Sequence, residues 1–159
     1  MSNEKQSAIH YEANTLTPAE LCEMRAVPQW AASKEAEVAQ AQAARALKHT
    51  LYSIAARDEN QRIVGMARLI GDGAMRWVVE DVVVRDEYRG MGIGRELIQR
   101  LLDYIESQRL PGEVVGVDLM AAKGKEPFYA HFGFAIRPPA EGNNGNGYGM
   151  SLLLGEEDK

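Results

Sequence analysis

The spacing of apolar and polar positions divides the chain into helical and extended stretches. Ser7 to Asn14 reads as a short first strand. Thr17-Pro18-Ala19-Glu20 reads as a helix start, because Thr17 can cap, Pro18 suits the first helical position and Glu20 can close a capping box. This helix is expected to reach about Arg25 and to stop before Pro28. Ser33 is expected to cap a second helix, roughly Lys34 to Lys48, which its Ala and Gln content supports more than periodicity does.

From His49 the pattern turns extended. His49 to Ala56, Arg62 to Ile70 and Met75 to Val84 are apolar runs separated by the polar turns Asp58-Glu59-Asn60-Gln61 and Gly71-Asp72-Gly73. Links this short predict an antiparallel meander. A helix follows Gly94, with Ile93, Leu97, Ile98, Leu101, Leu102 and Ile105 on one stripe, and Pro111 and Gly112 end it. Val114 to Met120 is another strand. Strand, helix, strand in that order predicts a right-handed crossover between parallel strands. Lys125 to Phe132 reads as a short helix closed by Gly133, and Phe134 to Arg137 and Gly149 to Leu154 as a final pair of strands. The Pro138–Gly147 segment between them is a flexible loop by composition, and long enough to border a site.

Composition narrows the class. The 159 residues fit one domain, with no repeat or linker visible, so residues 1–159 are expected to form a single unit of function. Hydrophobic residues make up 45% and charged residues 26%, which is ordinary for a globular protein and excludes disordered, collagen-like and disulfide-scaffold chains. The net charge of −5 argues against reliance on nucleic acid or an anionic membrane as partner. One cysteine, Cys22, permits neither an internal disulfide nor a Cys-x-x-Cys site and is expected as a small apolar residue on a helix. The first residues carry no apolar signal segment, and no run is long enough to span a membrane, so the expectation is a soluble, cytoplasmic protein.

The chemistry concentrates between Val78 and Ile105. An apolar strand runs into Arg89-Gly90-Met91-Gly92-Ile93-Gly94 and then into an amphipathic helix. Such a turn lets backbone N–H groups converge on a phosphate, helped by the partial positive charge of the helix N-terminus. Arg85, Arg89 and Arg95 are expected to surround it as a local basic patch. The alternative is a tight turn that uses glycine only for its backbone freedom. Spelling separates the phosphate motifs: Arg95 stands where a dinucleotide fingerprint needs its last glycine, and no Gly-Lys-Ser/Thr completes a P-loop. No His-Glu-x-x-His occurs, and Gly149-Met150-Ser151 does not complete a nucleophile elbow.

What fits is Arg-x-x-Gly-x-Gly. Together with the preceding Glu80-Asp81-Val82-Val83-Val84, it resembles the acetyl-CoA motif of the GNAT superfamily of N-acetyltransferases. Phe128-Tyr129-Ala130-His131-Phe132-Gly133-Phe134 resembles that family's Phe-Tyr-x-x-x-Gly-Phe segment, and the order of elements agrees over nearly the whole chain. The resemblance implies a mixed, mostly antiparallel α/β fold (α+β type), a twisted sheet of about six or seven strands flanked by helices. It implies acetyl-CoA as cosubstrate, with no metal. The Val82-Val83-Val84 stretch would hold the pantetheine arm as an added strand, through the backbone of Val82 and Val84. Amides from Arg89 through Gly90, Met91, Gly92, Ile93 and Gly94 to Arg95 would cradle the pyrophosphate. Tyr129 would stand near the thioester sulfur. Many relatives hold the cofactor with an asparagine where this chain has Ala121-Ala122-Lys123-Gly124-Lys125, so Lys123 or Lys125 is the substitute contact to phosphate, with plain solvation the alternative.

An amine acceptor must attack as the neutral base, and at pH 7 that form of a lysine-like amine costs ~4.6 kcal/mol. A carboxylate near it can bind the cation and take the proton. Glu80 is the candidate, a charge inside an apolar strand just before the proposed cofactor stretch; the alternative is pairing with a structural arginine such as Arg68. Asp81 faces the other way and reads as structural. Tyr129 could donate a proton or hydrogen bond to the leaving thiolate, and a backbone N–H near Val82 could meet charge on the carbonyl oxygen. Arg25, Trp30, Tyr52, Trp77, Tyr148 and Met150 are candidates to line the acceptor pocket, though most suit the core or its rim equally. The expected reaction is direct transfer in a ternary complex to a primary amine, a small molecule in the first instance; the weak likeness of Glu80-Asp81 and its apolar run to polyamine acetyltransferases points the same way. A protein lysine or N-terminal amine, and a non-catalytic acyl-CoA-binding module, are the competing readings. A homodimer is a family expectation.

Overall fold

Thr17 begins the first helix as its side chains require. Its Oγ1 accepts from the Glu20 amide and the Glu20 carboxylate accepts from the Thr17 amide, both at 3.1 Å. With Pro18 in the first turn, this starts α1, Pro18–Ala26. Thr17→Ala should lower stability by roughly 1 kcal/mol in urea unfolding, since one of those amides then loses its partner. In the computed structural model, residues 8–137 and 149–155 are described. The Pro138–Gly147 loop, Tyr148 and the first residues of the chain lie outside them.

The other elements, in chain order, are β1 (His10–Ala13), before α1, then α2 (Ala36–Lys48), β2 (Tyr52–Arg57), β3 (Ile63–Gly71) and β4 (Arg76–Val84). A turn of 3-10 helix at Asp86–Tyr88 leads into α3 (Ile93–Gln108). β5 (Val115–Met120), α4 (Glu126–Ala130), β6 (Ala135–Ile136) and β7 (Gly149–Leu154) complete the order. The strands form one seven-stranded mixed sheet in the order β1-β2-β3-β4-β5-β7-β6. The β1–β2, β2–β3, β5–β7 and β6–β7 pairs are antiparallel, and β4–β5 is parallel. Flanked by helices, this is the α/β architecture expected.

Two local expectations are corrected. Ser33 does not cap α2: the helix begins three residues later after Glu35, which gives no side-chain cap, and Ser33 Oγ only accepts from the Glu35 amide at 3.4 Å. The first strand shortens to four residues.

The chain forms two compact units. The first holds the described residues up to Leu69 together with Asp81–Leu102. Its β2 and β3 are buried from Ser53 to Arg57 and from Ile63 to Leu69, the mark of strands covered on both faces. On one face Leu21 and Met24 of α1 and Ala43 of α2 pack with Ala55, Ile63, Met66 and Val83. Cys22 is half-buried at the edge of that cluster. On the other face α3 lies close: a Cβ on Gly65 would meet Ile93 Cγ2 at 3.0 Å. Buried Arg57 ties β2 to β1 and α1 through Glu12 and both oxygens of Glu20. Burial alone would raise the Glu20 carboxyl, but hydrogen bonds from Arg57 and Thr17 hold it below its ordinary value. Its contribution to stability is therefore present above the ordinary carboxylate range and fades as pH falls through the lowered value.

The second unit holds Ile70–Glu80 and the described residues from Asp103 on. Asp72 shapes its hairpin turn by accepting the amides of Ala74, Met75 and Arg76 at 2.8–3.0 Å. β4 runs parallel to β5 from Arg76↔Gly116 to Val79↔Leu119. Trp77 is buried edge-on against Tyr104, ring centroids 6.0 Å apart.

Candidate functional site

In the first unit, the glycine turn links β4 to α3. Gly90 and Gly92 have φ of +76° and +80°, conformations that disfavour any residue with a Cβ. The Glu96 amide donates to the Gly92 carbonyl at 3.0 Å and so begins the helical ladder. The amides of Ile93, Gly94 and Arg95 precede it and have no intrahelical acceptor. Among the described residues these three, and those of Gly90 and Gly92, donate to no protein group. Open donors at the start of a 16-residue helix are suited in sign and direction to an anion. The Met91 and Ile93 side chains are buried.

The basic patch is smaller than expected. Arg85 is buried; its Nε donates to the Ile63 carbonyl at 2.7 Å and its Nη2 to Glu23. A side chain that enters the core at the end of a buried strand is committed to the fold. Arg89 is exposed and pairs with Asp86 at 3.0 Å. Arg95 is exposed and, among the described residues, makes no ion pair.

β4 supplies the second feature. Its ladder to β5 ends at Val79↔Leu119, so residues 80–84 lie beyond it. Val82 and Val84 are half-buried there, while the Val83 side chain belongs to the core of the first unit. Asp81 has φ +53° in the strand interior, which breaks the regular alternation. It is buried and is met by Arg68 Nε at 2.7 Å and Arg25 Nη1 at 2.5 Å. Arg68 therefore pairs with Asp81, and with Thr50 Oγ1 at 2.7 Å, not with Glu80. Asp81 is thus held within the fold by two arginines, and the arginine suggested for Glu80 serves its neighbour. Glu80 is half-buried.

Tyr129 lies in the second unit, on α4. Phe128, Phe132 and Phe134 surround it or each other edge-on, and Tyr129 is 9% exposed. Gly133, φ +96°, ends the turn after the helix. Burial pushes the Tyr129 hydroxyl up to about 12. Among the described residues that hydroxyl has no hydrogen-bond partner, and no side-chain oxygen is both sealed from solvent and unpaired. It sits at the open edge of an apolar cluster, protonated and able to donate. Lys123 and Lys125 are exposed nearby in the chain, and the Lys125 carbonyl accepts the Phe128 amide at 3.1 Å.

Of the residues suggested for an acceptor pocket, Trp77 and Met150 are core, 3% and 1% exposed. Large apolar side chains on an inward-facing strand position leave no surface for a ligand. Arg25 and Trp30 do meet: the guanidinium lies 5.5 Å from the Trp30 ring centre, and Trp30 is exposed. Tyr52 is half-buried, and Tyr148 is outside the described residues. The Arg25–Asp81–Arg68–Thr50 network was not anticipated; its one sequence signal was Arg68, a charge inside a buried strand that needed a partner.

A mixed seven-stranded sheet whose fourth strand leads through a glycine turn into a long helix is the frame that carries these residues. Residues 17–134 match the family model for the acetyltransferase (GNAT) family, and the chain belongs to that family. It is 32% identical over 81 residues to a histone acetyltransferase of Glycine max, covering 51% of this chain and 33% of that one. It is 37% identical over 79 residues to the chloroplastic serotonin N-acetyltransferase 2 of Oryza sativa subsp. japonica, covering 50% and 38%. The chain thus spans about a third of the length of these relatives. An acetyltransferase of the GNAT family from Staphylococcus aureus shares the fold, with a TM-score of 0.68 at 18% identity over 92% of this chain and 99% of that one.

Proposed function

We propose that this protein transfers an acetyl group from acetyl-CoA to a primary amine by direct attack in a ternary complex, with a small molecule as acceptor. The observation that carries the reading is the set of amides of Gly90, Gly92, Ile93, Gly94 and Arg95 at the start of α3, which donate to no protein group among the described residues. These residues fit a diphosphate, since donors and helix dipole point the same sign of charge at one place. The backbone of Val82 and Val84 would take the pantetheine arm, beyond the end of the β4–β5 ladder. When bound, the thioester supplies an activated acyl carbon.

The protein's own residues do the rest. Glu80 binds the ammonium of the acceptor and takes its proton, leaving the nitrogen lone pair free to attack. The Val82 amide donates to the carbonyl oxygen as it gains charge. Tyr129 donates a hydrogen bond to the departing sulfur. Its hydroxyl, near 12, lies ~3.5 units above a free thiol at about 8.5, so it stabilises the thiolate without giving up its proton. Arg25 and Trp30 offer a cationic and aromatic rim for the acceptor.

The names of the two plant relatives, one for histone and one for serotonin, support an amine acceptor and define the test. Serotonin, a polyamine and a histone-tail lysine peptide would be offered with acetyl-CoA while free thiol is followed. Turnover with a small amine supports the reading, turnover with the peptide alone moves it to protein lysine, and saturable acetyl-CoA binding with no turnover makes the chain a binding module. Arg95→Ala should weaken acetyl-CoA binding roughly fivefold, and the loss should shrink as salt rises. Calorimetry at two ionic strengths checks this.

A further inference from the structure

Asp81 stands between Glu80 and Val82, the proposed base and the proposed amide donor, and its φ of +53° falls in the interior of β4. This conformation is unfavourable for any residue with a Cβ, least so for Asp and Asn. Glycine would adopt it freely. The chain instead places a carboxylate there and buries it, with the side chain 2% exposed.

Two guanidinium groups from two different elements hold that carboxylate. Arg68 of β3 donates to Oδ2 at 2.7 Å and Arg25 of α1 to Oδ1 at 2.5 Å. Arg68 is itself fixed: its side chain is 9% exposed, it donates to Thr50 Oγ1 at 2.7 Å, and the Thr50 hydroxyl donates to the Ala46 carbonyl at 2.9 Å. Arg25 is the looser arm, 34% exposed and lying against Trp30. Fold stability is a poor account of such an arrangement, because a buried ion pair stabilises little more than well-packed apolar side chains of the same volume. A strained residue that its surroundings over-determine points instead to function.

In a regular strand successive amides point to opposite edges. A left-handed residue breaks that alternation, so the direction of the Val82 amide follows the torsions of Asp81. We propose that Asp81, clamped by Arg68 and Arg25, is a positioning residue of the transfer reaction, fixing the left-handed step that aims the Val82 amide. This rests on the acetyltransfer reading above.

Asp81→Asn keeps the shape and the tolerance for positive φ but removes the charge that both arginines clamp. Arg25→Gln releases only the exposed arm and should fold in any case. Both variants should bind acetyl-CoA within about twofold of the parent by calorimetry, while amide hydrogen exchange at residues 81–84 quickens roughly tenfold. With an acceptor from the amine panel, kcat should fall about 100-fold for Asp81→Asn and about tenfold for Arg25→Gln, with KM for acetyl-CoA unchanged. Unchanged exchange at these residues, or a kcat loss no larger than the loss of folded protein, overturns the clamp. A parent protein that releases no thiol with any amine overturns the acetyltransfer reading instead, a result separable from the exchange measurement.

Discussion

Replacing Glu80 with glutamine should lower kcat/KM by roughly 10²–10⁴ near neutral pH, with the deficit narrowing as pH rises. The size follows from the acceptor. At pH 7 the neutral form of a lysine-like amine is ~3.4 pH units from half-population, and at pH 9 only ~1.4. A carboxylate that removes the proton within the complex matters most where solution supplies least neutral amine. The glutamine keeps the volume and the hydrogen-bonding oxygen but cannot hold the proton. A pH profile of kcat/KM for both proteins decides the role: a constant ratio at all pH values would reduce Glu80 to positioning the amine. Acetyl-CoA affinity should not change, because the proposed cofactor contacts are backbone amides of the turn before α3 and not this side chain.

Tyr129→Phe should lower kcat about 100-fold while leaving acetyl-CoA affinity within a factor of about two, the pattern of a donor used in the transition state rather than in binding. Unchanged turnover would remove Tyr129 from the mechanism. The same substitution carries a second signature. Burial holds the hydroxyl protonated up to about 12, whereas an unfolded tyrosine ionises near 10.0. The group therefore favours the folded state fully below pH 10, and that contribution is lost as pH rises from 10 toward about 12. The difference amounts to about 2–3 kcal/mol at the alkaline end. Urea unfolding at pH 9 and pH 11 should show the parent losing more stability than Tyr129→Phe. Equal losses would mean that the hydroxyl is as well solvated folded as unfolded.

Much of the fold was legible because it depends on local chemistry. Thr17, Pro18 and Glu20 specify a helix start by contacts within one turn, and the structure shows both reciprocal hydrogen bonds. The stripe from Ile93 to Ile105 can bury only on one helical face, and all its members are buried. Gly90, Gly92 and Gly133 mark backbone conformations that other residues avoid, and each has positive φ. Ser33 is an ambiguous local signal: a serine three residues before the helix accepts a short-range amide hydrogen bond outside it.

What the sequence by itself determined is therefore the order of elements, the glycine turn before α3 and the aromatic segment around Tyr129, since each is written in neighbours along the chain. Only the tertiary structure decided where the buried charges go. Arg85, counted with the basic patch by proximity in sequence, turns inward to Ile63 and Glu23, and Arg68 reaches Asp81 rather than Glu80. A period of two residues assigns a side chain to a face but not to a partner, and the left-handed step at Asp81 interrupts even that period. A desolvated charge must find its counter-charge in space. The partners that met this need stand 13 and 56 residues away from Asp81, a pairing that no local pattern encodes.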